Sequence, residues 1–347
     1  MKRDYGIDLL KMVAMMMVVA HHILQGGGVG GKFGGVGGFI EESFHCFCYC
    51  AVDCFVMVTG YIMCRHAFKY VRIFRLWRQF VGYSLFFVVL GWLFLPAGTV
   101  GWRHWIGAAM PVLTNANWFL TQYFALFFTI PFLNKMLDAL SGREKGILLL
   151  SGFCLLSVMP SVAGKDLFVT TWGYSYVWFL YLYVLGASLV DVRKIVCSSG
   201  LLALGATAGS ILSAGCAIAG PMLTVRFGGG GRIAELAYSY ASPTMLLEAV
   251  CLVLIFAKIE VRNLAFQRMI SILAPSTFIV FVVHTDGMFK QLVGWRHAFT
   301  WMTDYGVACV VAGTIAASVL VYAVIVSADV LRRMVVRRLV ELFHGSD

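Results

Sequence analysis

The chain has 347 residues, of which 60% are hydrophobic and only 13% are charged, whereas soluble globular proteins are about half apolar and about a quarter charged. This composition excludes an ordinary soluble protein and predicts an integral membrane protein that lies within the lipid bilayer. The net charge of +10 would suit a nucleic-acid partner, but its distribution along the chain indicates a different origin.

Ten hydrophobic runs follow one another along the sequence, and most are long enough to cross a membrane as a helix. They lie at about 7–24, 42–64, 79–97, 117–134, 146–161, 173–190, 200–220, 237–257, 270–289 and 304–328. The sequence therefore predicts an all-α, polytopic fold with about ten transmembrane helices. We expect one transmembrane domain over residues 1–347, with a basic tail from about residue 329.

The distribution of lysine and arginine predicts the orientation, because cytoplasmic segments of membrane proteins are enriched in both. With the N-terminus inside, 19 of the 27 Lys and Arg residues fall in cytoplasmic segments and seven fall in outer segments. This asymmetry predicts a multi-pass protein of the cell membrane with both termini in the cytoplasm. It also explains the basic composition, so no nucleic-acid partner is expected.

The first run carries several ionisable side chains, which are costly inside a membrane and usually indicate function. At about 100° per residue, Lys11 and His22 fall within roughly 20° of each other and about 16 Å apart along the helix. Asp4 and Asp8 lie near the same line, whereas His21 is about 100° away from it. We predict His22 as the chemical residue and His21 as the lesser candidate; an interfacial position of both histidines is the alternative.

Three more ionisable side chains lie inside later runs. Asp53 is expected to pair with a histidine or a lysine, because an unpaired carboxylate is costly in a membrane. His284 lies in the outer half of its predicted helix, at a depth similar to that of His22, so the two imidazoles are predicted to line one cavity. Glu248 is the third buried group, and a structural role is the alternative for both Glu248 and His284.

A basic amphipathic segment follows the second run. Its cationic residues are Arg65, Lys69, Arg72, Arg75 and Arg78. One interpretation, favoured by composition, is an anchor on anionic lipid. The other uses Arg72 and Arg75, which lie one turn apart, as a fork for phosphate groups.

Three patterns resemble binding motifs without meeting their requirements. Gly26-x-x-x-x-Gly31-Lys32 has the spacing of a P-loop, but Phe33 stands where Ser or Thr would coordinate magnesium. The thiols of the run 45–50 point in different directions on a helix, so they do not converge on a metal ion. The glycine run 228–231 predicts a flexible outer loop. We therefore expect no metal.

With these segments in place, the chain resembles the membrane-bound acyltransferase-3 family, whose first helix carries Arg, ten residues and then His. Lys11 and His22 match that pattern with Lys in place of Arg, and Arg72 and Arg75 match the family's Arg-x-x-Arg. The further matches, in order, are Phe55-Val56-Met57-Val58-Thr59-Gly60-Tyr61, Trp118-Phe119-Leu120 with Tyr123, Pro131-Phe132-Leu133-Asn134, Leu185-Gly186 and Phe281-x-x-His284. In the first of these, Val56 and Thr59 replace the family's second Phe and its Ser.

The resemblance implies an acyltransferase that moves an acyl group, often acetyl from acetyl-CoA, to a hydroxyl of a cell-surface glycan or its lipid-linked precursor. The expected partners are thus acyl-CoA, the glycan or glycolipid acceptor, and the lipid bilayer. The predicted site residues are His22, Asp53 and His284 for catalysis and Lys11, Arg72 and Arg75 for donor binding.

Two other functions remain open. A transporter or flippase for a glycan or a small anion would use the same buried charges as an ion relay. The lack of an evident repeat between the two halves of the sequence favours the enzyme. An inactive membrane scaffold is the third possibility, because Lys11 and Val56 depart from the family pattern.

Overall fold

The computed structural model describes residues 3–192, 198–227 and 238–344. The glycine run 228–231, predicted as a flexible loop, lies outside the described residues. The structure is 81% helix, and the described residues contain no β-strand. The all-α prediction is confirmed.

The described helices follow the order of the hydrophobic runs. They are α1 (Tyr5–Gly26), α2 (Gly35–Tyr49), α3 (Ala51–Met63), α4 (Val71–Phe94), α5 (Trp102–Ala109), α6 (Trp118–Ala139), α7 (Gly142–Phe153), α8 (Met159–Ala163), α9 (Tyr176–Val192), α10 (Ser199–Phe227), α11 (Pro243–Ala257), α12 (Leu264–Leu273), α13 (Thr277–Thr285), α14 (Gly287–Leu292), α15 (Trp295–Ala298) and α16 (Val307–His344). A π-helical segment, Cys154–Val158, joins α7 to α8, and a 3-10 turn, Ala274–Ser276, joins α12 to α13.

Seven helical stretches among the described residues are long and apolar enough to cross a membrane. They are Tyr5–Gly26, Gly35–Met63, Val71–Phe94, Gly142–Ala163, Ser199–Gly220, Leu264–Thr285 and Val307–Arg338. Large apolar side chains such as Trp92, Phe94 and Val162 are exposed, which is typical of a lipid-facing surface. The protein is therefore a multi-pass membrane protein. The number of about ten spans and the cytoplasmic position of both termini stay predictions.

The second span begins earlier than the predicted run. α2 starts at Gly35, inside the glycine-rich stretch that separates the first two predicted runs. Glycine is a weak helix former, but tertiary packing overrides such a preference. Here α2 packs against α1, α10 and α16, and in its first turn a Cβ on Gly37 would lie 3.8 Å from the side chain of Val307 in α16.

Several helices from both ends of the chain pack around α1. Asp4 caps its N-terminus by accepting a hydrogen bond from the backbone N–H of Ile7, as aspartate commonly does. Gly6 allows close contact with α11, because a Cβ there would lie 2.1 Å from the carbonyl oxygen of Phe256. α1 also packs against α2, α3, α13 and α16, so its polar side chains face the protein interior.

The closest helix packing joins α3 to α9. A Cβ on Gly60 would lie 2.1 Å from the carbonyl oxygen of Tyr183, and a Cβ on Gly186 would lie 2.0 Å from that of Met57. Small residues permit such close approach between membrane helices. Asn134 of α6 joins the same pair, since its Nδ2 donates to the carbonyl of Met63 at 3.1 Å and its Oδ1 accepts from the Tyr183 hydroxyl at 2.7 Å.

The last helix continues well beyond the predicted run 304–328, so much of the expected basic tail is helical. Asp329 is buried at this point and forms ion pairs with Arg332 at 2.7 Å and Arg333 at 3.1 Å. It also accepts a hydrogen bond at 2.7 Å from the hydroxyl of Ser276. These contacts stabilise the charged half of α16 against the start of α13, although this part of the helix is not apolar.

Candidate active site

A cavity of about 550 Å³ lies along α1 inside the helical bundle. Its lining from α1 extends from Lys11 to Gln25 and includes His21 and His22. Those positions cover about 21 Å of helix, given 1.5 Å per residue. Side chains of α2, α3, α6, α13 and α14 form other walls. The cavity therefore connects two depths of the bundle that are more than half a bilayer apart.

Two histidines from opposite ends of the sequence meet at this cavity. The Nδ1 atom of His22 lies 3.0 Å from Nε2 of His284. Nδ1 of His284 lies 2.6 Å from the carbonyl oxygen of Val280, which accepts hydrogen bonds and cannot donate one. His284 therefore carries its proton on Nδ1, and its Nε2 accepts the proton of His22 Nδ1. The two imidazoles are in contact, as their similar predicted depth suggested, but of this pair only His22 belongs to the described cavity lining. The prediction that both rings line one cavity is thus not confirmed, and their catalytic role stays a prediction.

This hydrogen-bond order decides which nitrogen of His22 is available. Because Nδ1 of His22 donates to His284, the neutral ring has its lone pair on Nε2. No described residue forms a hydrogen bond with this Nε2, and His22 lines the cavity. The backbone is fixed as well, since the indole N–H of Trp295 donates to the carbonyl of His22 at 3.2 Å. The ring is therefore oriented like a base in a catalytic pair.

His21 also borders the cavity but belongs to a different network. Its Nδ1 lies 2.9 Å from Nε2 of His45, and the two rings stack with centroids 4.9 Å apart. His45 in turn contacts the hydroxyl of Tyr238 at 2.8 Å. Both adjacent histidines use Nδ1 for a hydrogen bond, but His21 is buried with its ring stacked on His45, whereas His22 is only half-buried. His21 is therefore less free than His22 to act on a substrate.

Asp53 has a different partner from the one we expected. Its Oδ1 accepts a hydrogen bond at 3.1 Å from the indole N–H of Trp178 on α9. Its side chain is fully buried, and the cavity wall at this point of α3 is formed by Val52 and Phe55. The predicted pairing of Asp53 with a histidine or a lysine is therefore wrong, because Asp53 projects towards α9. Its role in catalysis stays a prediction without support from a contact in the site.

Lys11 lies at the other end of the cavity from His22. Its ammonium group pairs with Asp8 at 2.9 Å, and Asp8 also binds Arg3. One carboxylate thus lies between two cations, Arg3 and Lys11. Lys11 lines the cavity, in the position where an anionic ligand would be attracted.

Arg72 and Arg75 begin α4 at the surface of the bundle. A guanidinium nitrogen of Arg72 lies 3.0 Å from the sulfur of Met63, and Arg75 is exposed. Neither residue belongs to the described lining of the cavity, and no described contact joins them to Lys11. The structure therefore does not assemble the three predicted donor-binding residues into one contact cluster.

Several cavity residues were not predicted as part of a site. The hydroxyl groups of Thr59 and Tyr123 lie 2.8 Å apart, and both residues line the cavity. In the sequence, these two residues were noted only as matches to the family's motifs. Asn117 donates to the hydroxyl of Thr285 at 3.2 Å. Glu248 is buried away from this lining and accepts a hydrogen bond at 2.7 Å from Ser210, which favours a structural role.

Lys290 on α14 is the other lysine of the cavity lining. In the sequence it appeared as one charge among those of the outer segments. Burial lowers the pKa of Lys290, and the nearby carboxyl group of Asp286 opposes that change. Burial also raises the pKa of Asp286, although backbone N–H groups of Phe289 and Met288 stabilise its carboxylate.

The fold and the cavity define a helical membrane protein in which an imidazole pair, His22 and His284, lies beside an internal cavity. Residues 4–323 match the model of a family described as an acyltransferase domain. This match covers most of the chain, so the protein belongs to the membrane-bound acyltransferase-3 family and is an acyltransferase. No significant match is found among curated proteins or among solved structures.

Proposed function

We propose that the protein transfers an acetyl group from acetyl-CoA to a hydroxyl group of a surface glycan or its lipid-linked precursor. The observation that carries this proposal is the single cavity bordered by Lys11 at one end and by His22 at the other. A cationic end suits the phosphates of the donor, and a free imidazole nitrogen suits the acyl-transfer step. The thin acyl-carrying arm of coenzyme A bridges the depth between them.

In the proposed reaction, Nε2 of His22 takes the proton of the acceptor hydroxyl as its oxygen attacks the thioester carbonyl carbon. His284 keeps the proton of His22 on Nδ1, as the orienting member of a catalytic pair does. When the intermediate collapses, the carbon–sulfur bond breaks and His22 returns the proton to the thiolate. The products are an ester and free coenzyme A, with no net change at His22.

Donor binding uses Lys11 inside the cavity and Arg72 and Arg75 on the predicted cytoplasmic surface. The two arginines lie one turn apart, so they present two guanidinium groups to one phosphate-rich ligand. Because they lie outside the described cavity lining, we assign them to the nucleotide part of the donor. Lys11 would then meet the donor arm where it enters the bundle.

The His22 end of the cavity has the polarity that a sugar acceptor requires. Gln25 and Asn117 contribute amide groups, while Tyr174, Tyr240 and Trp118 contribute aromatic surface. Binding sites for small polar molecules combine apolar walls with a few directed polar groups. A hydroxyl-rich ring therefore finds both stacking surfaces and hydrogen-bond partners beside the imidazole pair.

The proposal is tested in cells that lack the protein and then receive the wild-type chain or His22→Ala. Mass spectrometry of the surface glycans reports the number of O-acetyl groups. We expect acetylation with the wild-type chain and none above background with the variant, at equal amounts of folded protein. Identical glycans in all three cell lines would contradict the proposal, and altered glycan export without any change in acetylation would indicate a flippase.

A further inference from the structure

Lys290 differs from the other charged residues of the cavity in both position and partners. It lines the same cavity as His22 and Gln25, and it also lines a neighbouring cavity of about 350 Å³ next to Trp295. This second cavity is also lined by Gly26 at the end of α1 and by Trp295, whose indole N–H donates to the carbonyl oxygen of His22. The lysine therefore lies on the imidazole side of the cavity, apart from Lys11.

The ammonium group of Lys290 has no hydrogen bond or ion pair with any described residue. Lys11, the other lysine of the lining, is bound to Asp8 at 2.9 Å. The nearest acid in the sequence, Asp286, uses its Oδ1 to cap α14 by accepting from the N–H groups of Met288 and Phe289. A partly buried cation without a bound carboxylate attracts negative charge that develops beside it.

Acyl transfer creates such a charge. When a hydroxyl oxygen attacks the thioester carbonyl, the carbonyl π electrons move to its oxygen and form an oxyanion. Enzymes of acyl transfer stabilise this oxyanion with fixed hydrogen-bond donors or cations. Backbone N–H groups usually serve this purpose, but in α1 around His22 they are bound within the helix. A side chain of the cavity lining is therefore a suitable source of stabilisation beside His22, and Lys290 is the cation of the described lining on this side.

We propose that Lys290 is the catalytic cation that stabilises the oxyanion of the tetrahedral intermediate formed beside His22. This inference rests on the proposed acyl transfer and adds a third residue to it. The proton of the acceptor goes to His22 Nε2 while the negative charge on the carbonyl oxygen is held by the Lys290 ammonium. When the carbonyl re-forms, the sulfur leaves, takes the proton from His22, and Lys290 is released unchanged.

The test separates the donor reaction from acceptor binding. The full chain is purified in detergent, and its hydrolysis of acetyl-CoA is measured with water as the acceptor. Transfer of acetyl groups to glycan in membranes is measured with the same variants. The variants are Lys290→Met, Lys290→Arg and, as a matched control, Lys32→Met in the exposed loop after α1.

We expect Lys290→Met to lower kcat of both reactions by about 10²-fold or more, the size seen when an oxyanion donor is removed. The KM for acetyl-CoA should stay within about twofold, since the cation acts on the transition state and not on the bound donor. Lys290→Arg should restore most of the rate, and Lys32→Met should match the wild type. Should Lys290→Met fail to fold, Lys290→Gln replaces it, with the same expected loss.

Two results would overturn the inference. One is unchanged hydrolysis in Lys290→Met together with a raised KM for glycan, which would make Lys290 an anchor for an acidic acceptor. The other is an equal loss of rate in Lys290→Met and Lys290→Arg with a lowered unfolding temperature, which indicates a structural role. A wild-type chain that neither hydrolyses acetyl-CoA nor acetylates glycan would instead defeat the proposed function itself.

Discussion

At the residue scale, the chemistry depends on the position of two protons. The Val280 carbonyl holds the proton of His284 on Nδ1, and His284 in turn holds the proton of His22 on Nδ1. The sequence predicted that the two imidazoles lie at similar depth, because both helices start on the same side. It did not predict the tautomers, because these depend on which ring atoms meet after the helices pack.

The first prediction distinguishes the two adjacent histidines. His22→Ala should lower acetyl transfer by at least about 10²-fold, the lower limit for loss of a general base. His21→Ala should have a much smaller effect, because His21 is buried and stacked on His45, whereas His22 is only half-buried beside the cavity. Transfer rates are compared at equal amounts of folded protein. If His21→Ala is inactive while His22→Ala retains its rate, the assignment of the base is wrong.

The second prediction concerns the coupling between His22 and His284. His284→Leu keeps a similar side-chain volume but removes the acceptor of the His22 proton. We expect a loss of about tenfold, the effect of one hydrogen bond of about 1.4 kcal/mol. In the double variant with His22→Ala, the second substitution should add almost nothing, because residues that act as a unit are not additive. Additive losses would show that the two rings act independently.

The third prediction tests the role of the surface arginines. Arg72→Ala with Arg75→Ala should raise the KM for acetyl-CoA by roughly tenfold or more, because hydrogen bonds to charged groups contribute about 1.5–3 kcal/mol. Arg78→Ala, one turn further along the exposed start of α4, is the matched control and should leave the KM unchanged. If the KM of the double variant is unchanged, the basic segment at the start of α4 does not bind the donor, and its role as an anchor on anionic lipid is favoured.

At the element scale, hydrophobic runs predicted which segments form helices, but not all of their ends. α2 starts earlier and α16 continues later than the runs, because contacts with other helices stabilise glycine in one case and a charged segment in the other.

The partner of Asp53 was missed for a related reason. An indole N–H donates a hydrogen bond to one carboxylate oxygen as a histidine N–H would, and sequence spacing does not show that Trp178 faces α3.

The fourth prediction concerns the contact between α3 and α9. Gly186→Ala places a Cβ 2.0 Å from the Met57 carbonyl oxygen, so the helices must separate. Overpacking of this kind costs about 1–3 kcal/mol, and the unfolding temperature in detergent should fall. Gly82→Ala in α4 is the control, because a Cβ there has no atom within 4 Å; it should be neutral or stabilising. Equal stability of both variants would contradict the close packing.

At the scale of the whole molecule, the account rests on a cavity that connects two depths of the membrane. Lys11 and His22 lie on one helix about 16 Å apart, and both line that cavity. The charge distribution predicts that Lys11 is nearer the cytoplasm. The nucleotide of the donor would then remain inside while the acetyl group reaches an acceptor near the outer leaflet.

The most direct test of this claim uses sealed membrane vesicles of the two orientations. Labelled acetyl-CoA, which is too highly charged to cross the bilayer unaided, is added only to the external solution, and His22→Ala serves as the control. We predict labelled glycan on the inner surface of vesicles whose cytoplasmic face points outward, and none in vesicles of the opposite orientation. Product that forms only when donor and acceptor are both on the cytoplasmic face would contradict transfer across the membrane.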